Sequence, residues 1–338
     1  MLPQRLARAA VTSVSFRRKP KPPGRPPCGA APPGPPVPAP PLKRILSLLS
    51  LASLLICAAH AQQPKPLFPA EPREIAPGVW FQEVNGSSNC SWIVFDEYVL
   101  VIDANFSWVA QALEERIKKT TPKPIRYVFD THYHGDHAEA NPWWASRGAE
   151  IVCQDACRAE LEEKGAKQWE EMLLKHPEFK TVPFKLPTSS FSKTRVFEDA
   201  HHRAELITFG WAHTKGDAFV WLPKEKIIFT GDACVNGPFN YMGDASTTEW
   251  ISVLDAVDKL PFVTLCPGHG PLGGRDTLAE QRSYFVDLRK TVGDMMKQGK
   301  SFAEIERSVS LPRYEKWAGR KPATLNIQKV HDELRLAK

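Results

Sequence analysis

The segment at residues 127–137, YVFDTHYHGDH, constrains this chain more than any other part of its sequence. The residues just before its histidines, 125–129, are β-branched, aromatic and apolar, which is typical of a short buried strand. The polar residues that follow therefore lie on a loop at the C-terminal end of a strand. Histidine together with aspartate favours a borderline ion such as zinc, so the pattern predicts a metal site. The candidate ligands in this segment are His132, His134, Asp136 and His137.

The first 61 residues differ in composition from the rest of the chain. Residues 1–42 contain thirteen of the 31 prolines and no acidic residue, and we interpret them as a low-complexity, disordered basic leader. Lys43 and Arg44 then precede a twelve-residue apolar run and an Ala-x-Ala end. This pattern predicts a signal peptide over 43–61, cleaved after Ala61, and hence a periplasmic or secreted protein. The alternative is a membrane anchor, but the apolar run is too short to span a bilayer, so we expect no stable anchor after cleavage.

The basic character of the chain belongs to its N-terminal part. Nine of the 44 Lys and Arg residues lie in residues 1–61, which leaves 35 basic and 38 acidic residues in the rest and a net charge of −3. No basic patch indicates a nucleic-acid partner, and a small-molecule substrate is expected instead. The remaining 277 residues suffice for one large domain, predicted over 62–295 and followed by a helical C-terminal extension over 296–338.

Three further candidate ligands follow predicted strands later in the chain. His213 lies in GWAHTKGD, Asp232 in TGD after an apolar run, and His269 in PGHG. Glycine flanks two of these three residues and suits loops that approach an ion closely. Between the two halves, residues 165–195 read as a helical insert and a loop, which is typical of a lid near a binding site.

Together the motifs H-x-H-x-D-H, G-x-x-H-T, T-G-D and P-G-H-G, in this order, resemble the metallo-β-lactamase superfamily. The resemblance covers residues 78–288 and falls between the zinc β-lactamases and the glyoxalase II-like branch. It implies an α/β fold, a four-layer αββα sandwich, with two zinc ions at the sheet edge. The implied ligands are His132, His134 and His213 for the first ion, Asp136, His137 and His269 for the second, and Asp232 as a bridge between them.

The chemistry expected of such a site is hydrolysis. Two divalent ions lower the pKa of bound water and polarise a carbonyl, so a metal-bound hydroxide can attack an acyl bond without a Ser or Cys nucleophile. Asp136 is the candidate catalytic residue, because it can orient the hydroxide and accept its proton. The sequence therefore predicts a secreted zinc-dependent hydrolase acting on a β-lactam, lactone or thioester. The alternative from another class is a non-haem iron oxidoreductase on the same fold and ligands.

The chain also departs from the zinc β-lactamases. They carry Cys at the position of Asp232, and three residues later a Lys that binds the drug carboxylate, where this chain has Val235. We therefore expect β-lactam hydrolysis to be detectable but inefficient, and Val235→Lys to raise it, unless Lys215 or Arg320 supplies the cation.

Other polar residues have less specific contexts. Asp103 ends a predicted strand and is expected either to orient a metal-binding histidine or to be an ordinary turn carboxylate. His201 and His202 lie at a predicted hairpin turn, where we expect both to be solvated. Most of the cysteines after residue 61 are expected to be small buried apolar residues rather than ligands, and the five are Cys90, Cys153, Cys157, Cys234 and Cys266.

Overall fold

Two β-sheets organise the protein, and the computed structural model describes residues 65–318 and 323–337. Neighbours in the first sheet follow chain order. Its strands are β1 (Arg73–Ala76), β2 (Val79–Gln82), β3 (Cys90–Val94), β4 (Val99–Ile102), β5 (Ile125–Asp130), β6 (Glu150–Gln154) and β7 (Ser189–Phe191). The second sheet, also in chain order, contains β8 (Thr194–Glu198), β9 (Arg203–Ile207), β10 (Phe219–Leu222), β11 (Ile227–Phe229) and β12 (Thr264–Cys266).

Helices connect the strands and cover the outer faces of the sheets. Those of the first half are α1 (Ser107–Thr120), α2 (Gly135–Ala138), α3 (Asn141–Ser146), α4 (Asp155–Glu160) and α5 (Ala166–Lys175), with a π-helical turn at Leu161–Gly165 joining the last two. Those of the second half are α6 (Thr247–Val257), α7 (Arg275–Lys297), α8 (Phe302–Ser308) and α9 (Thr324–Leu336).

The alternation of side chains along the strands produces four layers. On β3, Ile93 packs between the two sheets, whereas Trp92 packs outward against α1 residues such as Leu113. On the second sheet, Val220 faces the first sheet, and Trp221 packs outward in the cluster that contains α6 and α7. Helix, sheet, sheet and helix thus stack in that order. The predicted αββα sandwich is confirmed.

Parallel pairing places several strand ends at the same edge. Strands β4, β5 and β6 are parallel neighbours, as are β11 and β12 in the other sheet. Their registers pair Ile102 with Phe129 and Phe229 with Cys266, so the loops that follow these residues begin side by side. The segments with the candidate ligands therefore meet at one end of the sandwich.

The structure changes several sequence-based boundaries. Strand β7 lies within residues 165–195, for which the sequence predicted only a helical insert and a loop. The leader predicted over 1–42 and the signal peptide predicted over 43–61 lie outside the described part of the chain. The predicted boundary at 295 falls inside α7, and α8 and α9 of the extension pack against that helix. Across residues 65–318 and 323–337, no helix has both the length and the apolar character needed to cross a membrane.

Candidate metal centre

The three histidines expected at the first ion converge at the end of the sandwich. Nδ1 of His134 lies 3.1 Å from Nε2 of His132 and 2.9 Å from Nε2 of His213. His132 and His213 are fully buried, whereas His134 is partly exposed to the pocket. We call these three residues the first group. Their three nitrogens lie within 4.8 Å of one another, which is compact enough for one ion.

The second set converges beside it. Oδ2 of Asp136 lies 3.0 Å from Nε2 of His269 and 3.7 Å from Nε2 of His137. We call these three residues the second group, and their ligand atoms also lie within 4.8 Å of one another. The short helix α2 explains the arrangement, because its first turn carries Asp136 and His137 on successive positions directly after the His134 loop.

Asp232 lies between the two groups. Its Oδ2 is 3.7 Å from Nε2 of His213 in the first group and 3.4 Å from Nε2 of His269 in the second. Its Oδ1 is 3.3 Å from Nε2 of His137. Close approach of the backbone makes room for this carboxylate, since a Cβ on Gly268 would lie 2.0 Å from Asp232 Oδ1. All seven predicted ligand residues are thus brought together, and their role as ligands stays a prediction.

The donor set fits a divalent ion. Nε2 of His137 and Oδ1 of Asp232 are buried and have no hydrogen-bond partner within the described residues. Buried polar atoms without partners are costly unless something else satisfies them, and a cation between these two atoms would do so. Imidazole nitrogens with carboxylate oxygens are the donors that zinc and iron accept.

The protonation states of the centre follow from burial and mutual charge. Burial lowers the pKa of His213 to about 3, with His134 acting in the same direction. Burial also acts to lower the pKa of His269, but Asp232 and Asp136 outweigh it and raise that pKa to about 10. Conversely, His269 and His137 hold the pKa of Asp232 well below its usual range in spite of burial. A cation bound to the second group would therefore displace protons from imidazoles.

Asp103 contacts one of the candidate ligands directly. Its Oδ2 lies 2.9 Å from Nδ1 of His137, and its Oδ1 accepts a hydrogen bond from the Thr131 N–H at 2.9 Å. Asp103 has φ of +68°, so its backbone is held in the left-handed region. The hydrogen bond fixes the His137 ring with Nε2 toward the centre, which agrees with the first of the two roles expected from the sequence.

Asp244 contacts a histidine of the first group in the same way that Asp103 contacts His137. The sequence did not predict this contact. Oδ2 of Asp244 lies 3.1 Å from Nε2 of His134, so Nδ1 of that ring faces the other histidines. Its Oδ1 accepts from Lys164 Nζ at 3.2 Å, and the same ammonium donates to the Tyr133 hydroxyl at 3.0 Å. The only sequence signal is that residues 241–245, YMGDA, resemble a segment of the zinc β-lactamases. Lys164 comes from the π-helical turn, and no local pattern connects it with this site.

The centre opens into a pocket of about 440 Å³. Tyr241 forms one wall, and its ring centre lies 5.7 Å from that of His134. Gln168 of α5 lines another side, so the insert contributes to the pocket as the sequence led us to expect. The remaining lining residues are Tyr133, His134, Gly135, Asp136, His213, Asp232, Asp244 and His269.

The structure overturns the expected role of position 235. Val235 is only 3% exposed and is not among the pocket-lining residues, because the short 3-10 turn Gly231–Ala233 carries the chain back into the core. A lysine there would start from a buried position outside the pocket lining. Of the suggested substitute cations, Lys215 lies over the Trp211 ring outside the pocket lining, and Arg320 lies outside the described residues.

The five cysteines, His201 and His202 lie outside the candidate metal groups of the described residues. All five cysteines after residue 61 are buried with free thiols, as expected, and Cys234 belongs to none of the potential metal groups in the described chain. His201 is exposed as predicted. The prediction that His202 is solvated is wrong. It is 6% exposed, because its Nδ1 lies 2.8 Å from the Glu225 carboxylate and its ring packs edge-on against Phe95.

Comparison with known proteins identifies relatives of this chain. Residues 84–269, more than half of the chain, match the family model of the metallo-beta-lactamase superfamily. A metallo-beta-lactamase type 2 of Bacteroides fragilis is 23% identical over 177 residues, which are 51% of this chain and 61% of that protein. The match thus spans less than two thirds of the relative's length.

Solved structures share the architecture. A metallo-beta-lactamase from Pontibacter korlensis superposes with a TM-score of 0.55 at 20% identity, covering 64% of this chain and 98% of that one. The protein TMB-1 gives a TM-score of 0.53 at 20% identity, with 64% and 96% covered. At this identity the likeness concerns the fold.

Proposed function

Because the chain belongs to the metallo-β-lactamase superfamily, we propose that it is a zinc-dependent hydrolase that binds two zinc ions and cleaves the acyl bond of a β-lactam, lactone or thioester. One observation carries the proposal: the Asp232 carboxylate lies between two separate groups of three candidate ligands, 3.7 Å from His213 Nε2 and 3.4 Å from His269 Nε2. A shared carboxylate between two such groups suits a pair of ions rather than one.

The protein's own residues have distinct parts in this chemistry. Bound divalent ions would supply Lewis-acid polarisation and a water of lowered pKa. Asp136 lines the pocket, and its carboxylate is placed to orient the attacking water and accept its proton. Asp103 and Asp244 hold the rings of His137 and His134 with the correct nitrogen toward the centre. Tyr241 forms one wall of the pocket and would contact a bound substrate.

The chemical types of the donor atoms also narrow the choice of ion. Seven nitrogen and oxygen donors without a thiolate suit zinc, and equally iron, whereas magnesium and calcium prefer sites dominated by oxygen. We propose zinc because five of the seven donors are imidazoles, three of them from fully buried histidines, and the first group consists of imidazoles alone.

Metal analysis and a substrate panel test the proposal together. The purified protein should contain two zinc ions per chain and hydrolyse at least one member of a panel of β-lactams, lactones and thioesters. Asp232→Ala should lower the metal content below two, whereas Asp258→Ala, at an exposed carboxylate paired with Arg275, should leave it unchanged. Two ions in the Asp232→Ala protein would remove Asp232 from the site.

The second group favours one other candidate function. Asp136, His137 and His269 form a two-histidine, one-carboxylate set, which is the ligand combination of many non-haem iron oxygenases. An iron oxidoreductase would contain iron after aerobic purification and consume oxygen with a reduced substrate. Zinc content with hydrolysis and no oxygen uptake would exclude it.

Export is a separate part of the proposal. The apolar run and Ala-x-Ala end at 59–61 support cleavage after Ala61 and a periplasmic or secreted location. N-terminal sequencing of protein expressed with its full leader in a bacterium should begin at Gln62. A product that remains whole and membrane-bound would favour an anchor instead.

A further inference from the structure

The pocket wall at residues 240–245 is held by a residue from the far end of the chain. Asn326, in the first turn of α9, is 1% exposed. Its Oδ1 accepts a hydrogen bond from the Met242 N–H at 3.1 Å, and its Nδ2 donates to the Asn240 carbonyl at 2.7 Å. The side-chain amide thus binds the backbone on both sides of Tyr241.

Tyr241 depends on this contact for its position. Its side chain is 46% exposed, and its ring centre lies 5.7 Å from that of His134 and 6.0 Å from that of His213. The ring folds back onto its own segment, since a Cβ on Gly243 would lie 2.0 Å from the Tyr241 hydroxyl oxygen. The position of the ring therefore depends on the backbone of this segment. The two hydrogen bonds of Asn326 fix that backbone directly before and after the ring.

The segment that Asn326 holds is also hydrogen-bonded to the turn that carries Asp232. The Nδ2 of Asn240 donates to the backbone carbonyl of Asp232 at 2.7 Å, and Asn240 is itself 3% exposed. Asn326 therefore connects through Asn240 to the turn that presents Asp232. Buried amides with complementary partners on both ends hold their neighbours firmly, since loss of either partner leaves a buried polar group unsatisfied.

Glu333 fixes α9 at a second point, close to the end of the wall segment. The Glu333 carboxylate accepts a hydrogen bond from the Thr247 N–H at 3.1 Å and pairs with Arg289 at 2.7 Å. Thr247 begins α6, directly after the wall segment. Helix α9 is therefore bound at one end to the wall and at the other to the helix that follows it.

We propose that Asn326 is a positioning residue that holds the backbone around Tyr241 in place at the pocket. Helix α9, which carries Asn326, therefore contributes to the geometry of the centre. The action of Asn326 is indirect: it touches neither the candidate ligands nor the pocket interior, and it works through Tyr241 and Asn240. The benefit to substrate binding rests on the proposed function, whereas the control of the wall's backbone does not.

Hydrogen exchange of the full, zinc-treated protein tests the proposal. Asn326→Asp keeps the shape and one acceptor but replaces the donor that reaches Asn240, placing a carboxylate against a carbonyl. Amides in segment 238–246 should exchange about tenfold faster, the equivalent of one lost hydrogen bond. Zinc should also pass faster to a chromophoric chelator. Gln328→Glu is the matched control, because within the described residues the Gln328 side chain bonds only to Asp332 of its own helix.

The outcomes separate a positioning role from general stability. Faster exchange confined to 238–246, with the exchange of β3 to β5 unchanged, supports the proposal. Unchanged exchange in 238–246, or a uniform increase across the chain with a lower melting temperature, overturns it. If Asn326→Asp does not fold, Asn326→Ala removes both contacts without adding charge and is measured in the same way. Locally faster exchange in a protein that binds no zinc would leave the positioning role standing while the proposed function fails.

Discussion

Oδ2 of Asp103 lies 2.9 Å from Nδ1 of His137, and this buried hydrogen bond sets which nitrogen of that histidine faces the centre. The hydrogen bond joins the loops after two parallel strands: Asp103 directly follows β4, and His137 follows β5. Asp103 holds its left-handed φ although it is not glycine, which is strain of the kind found where a side chain must be aimed.

Asp103→Asn should weaken the binding of one of two zinc ions by about 10- to 100-fold. Asparagine tolerates the same backbone conformation, so the change reports on the lost charge rather than on strain. Competition with a chromophoric chelator gives the two affinities. Asp96→Asn, at an exposed turn, is the control. Equal affinities in the variant and the wild type would show that Asp103 is an ordinary turn carboxylate.

Asp244→Ala should weaken the other ion. Asp244 contacts His134 of the first group, whereas Asp103 contacts His137 of the second, so the two variants should affect different ions. The expected loss is again about 10- to 100-fold. Zinc titration of the double variant should show both losses. If each single variant weakens both ions equally, the two groups do not act as separate sites.

Gly268→Ala should reduce zinc content and lower the free energy of unfolding by about 1–3 kcal/mol. Its Cβ would lie 2.0 Å from Asp232 Oδ1 and 2.7 Å from the Gly231 carbonyl carbon, and the backbone contact cannot be relieved by rotating a side chain. Gly293→Ala in α7 is the control, since its nearest neighbour lies at 3.5 Å and alanine favours a helix by about 0.5–1 kcal/mol. Denaturant unfolding and metal analysis measure both effects. Full zinc content in Gly268→Ala would contradict the geometry.

Val235→Lys should destabilise the protein by about 3–5 kcal/mol and should not improve hydrolysis of carboxylate-bearing β-lactams. The reason is that Val235 is 3% exposed and lies away from the pocket lining, so the ammonium would be buried without a partner. Val263→Lys, at a 66% exposed valine, should change stability little. Urea unfolding and kcat/KM measure the two effects. A stable Val235→Lys protein with raised kcat/KM would restore the interpretation based on sequence alone.

The sequence by itself determined which residues can form the centre and roughly where they lie. Short apolar runs identify strands, and polar residues at their ends fall on loops, so His132, Asp232 and His269 were located from local pattern alone. The order of four motifs then indicated the fold through its resemblance to a known family. Buried cysteines were also predictable, because their contexts carried no ligand spacing.

The tertiary structure alone decided which distant residues act on that centre. Asp244 reaches His134 across 110 positions and Asn326 reaches Met242 across 84, and no local periodicity encodes such pairs. It also placed Val235 in the core and His202 against Glu225, where spacing had suggested a pocket and a solvated turn. The physical reason is that a strand or turn follows from neighbouring residues, whereas burial and side-chain partners depend on how sheets and helices pack.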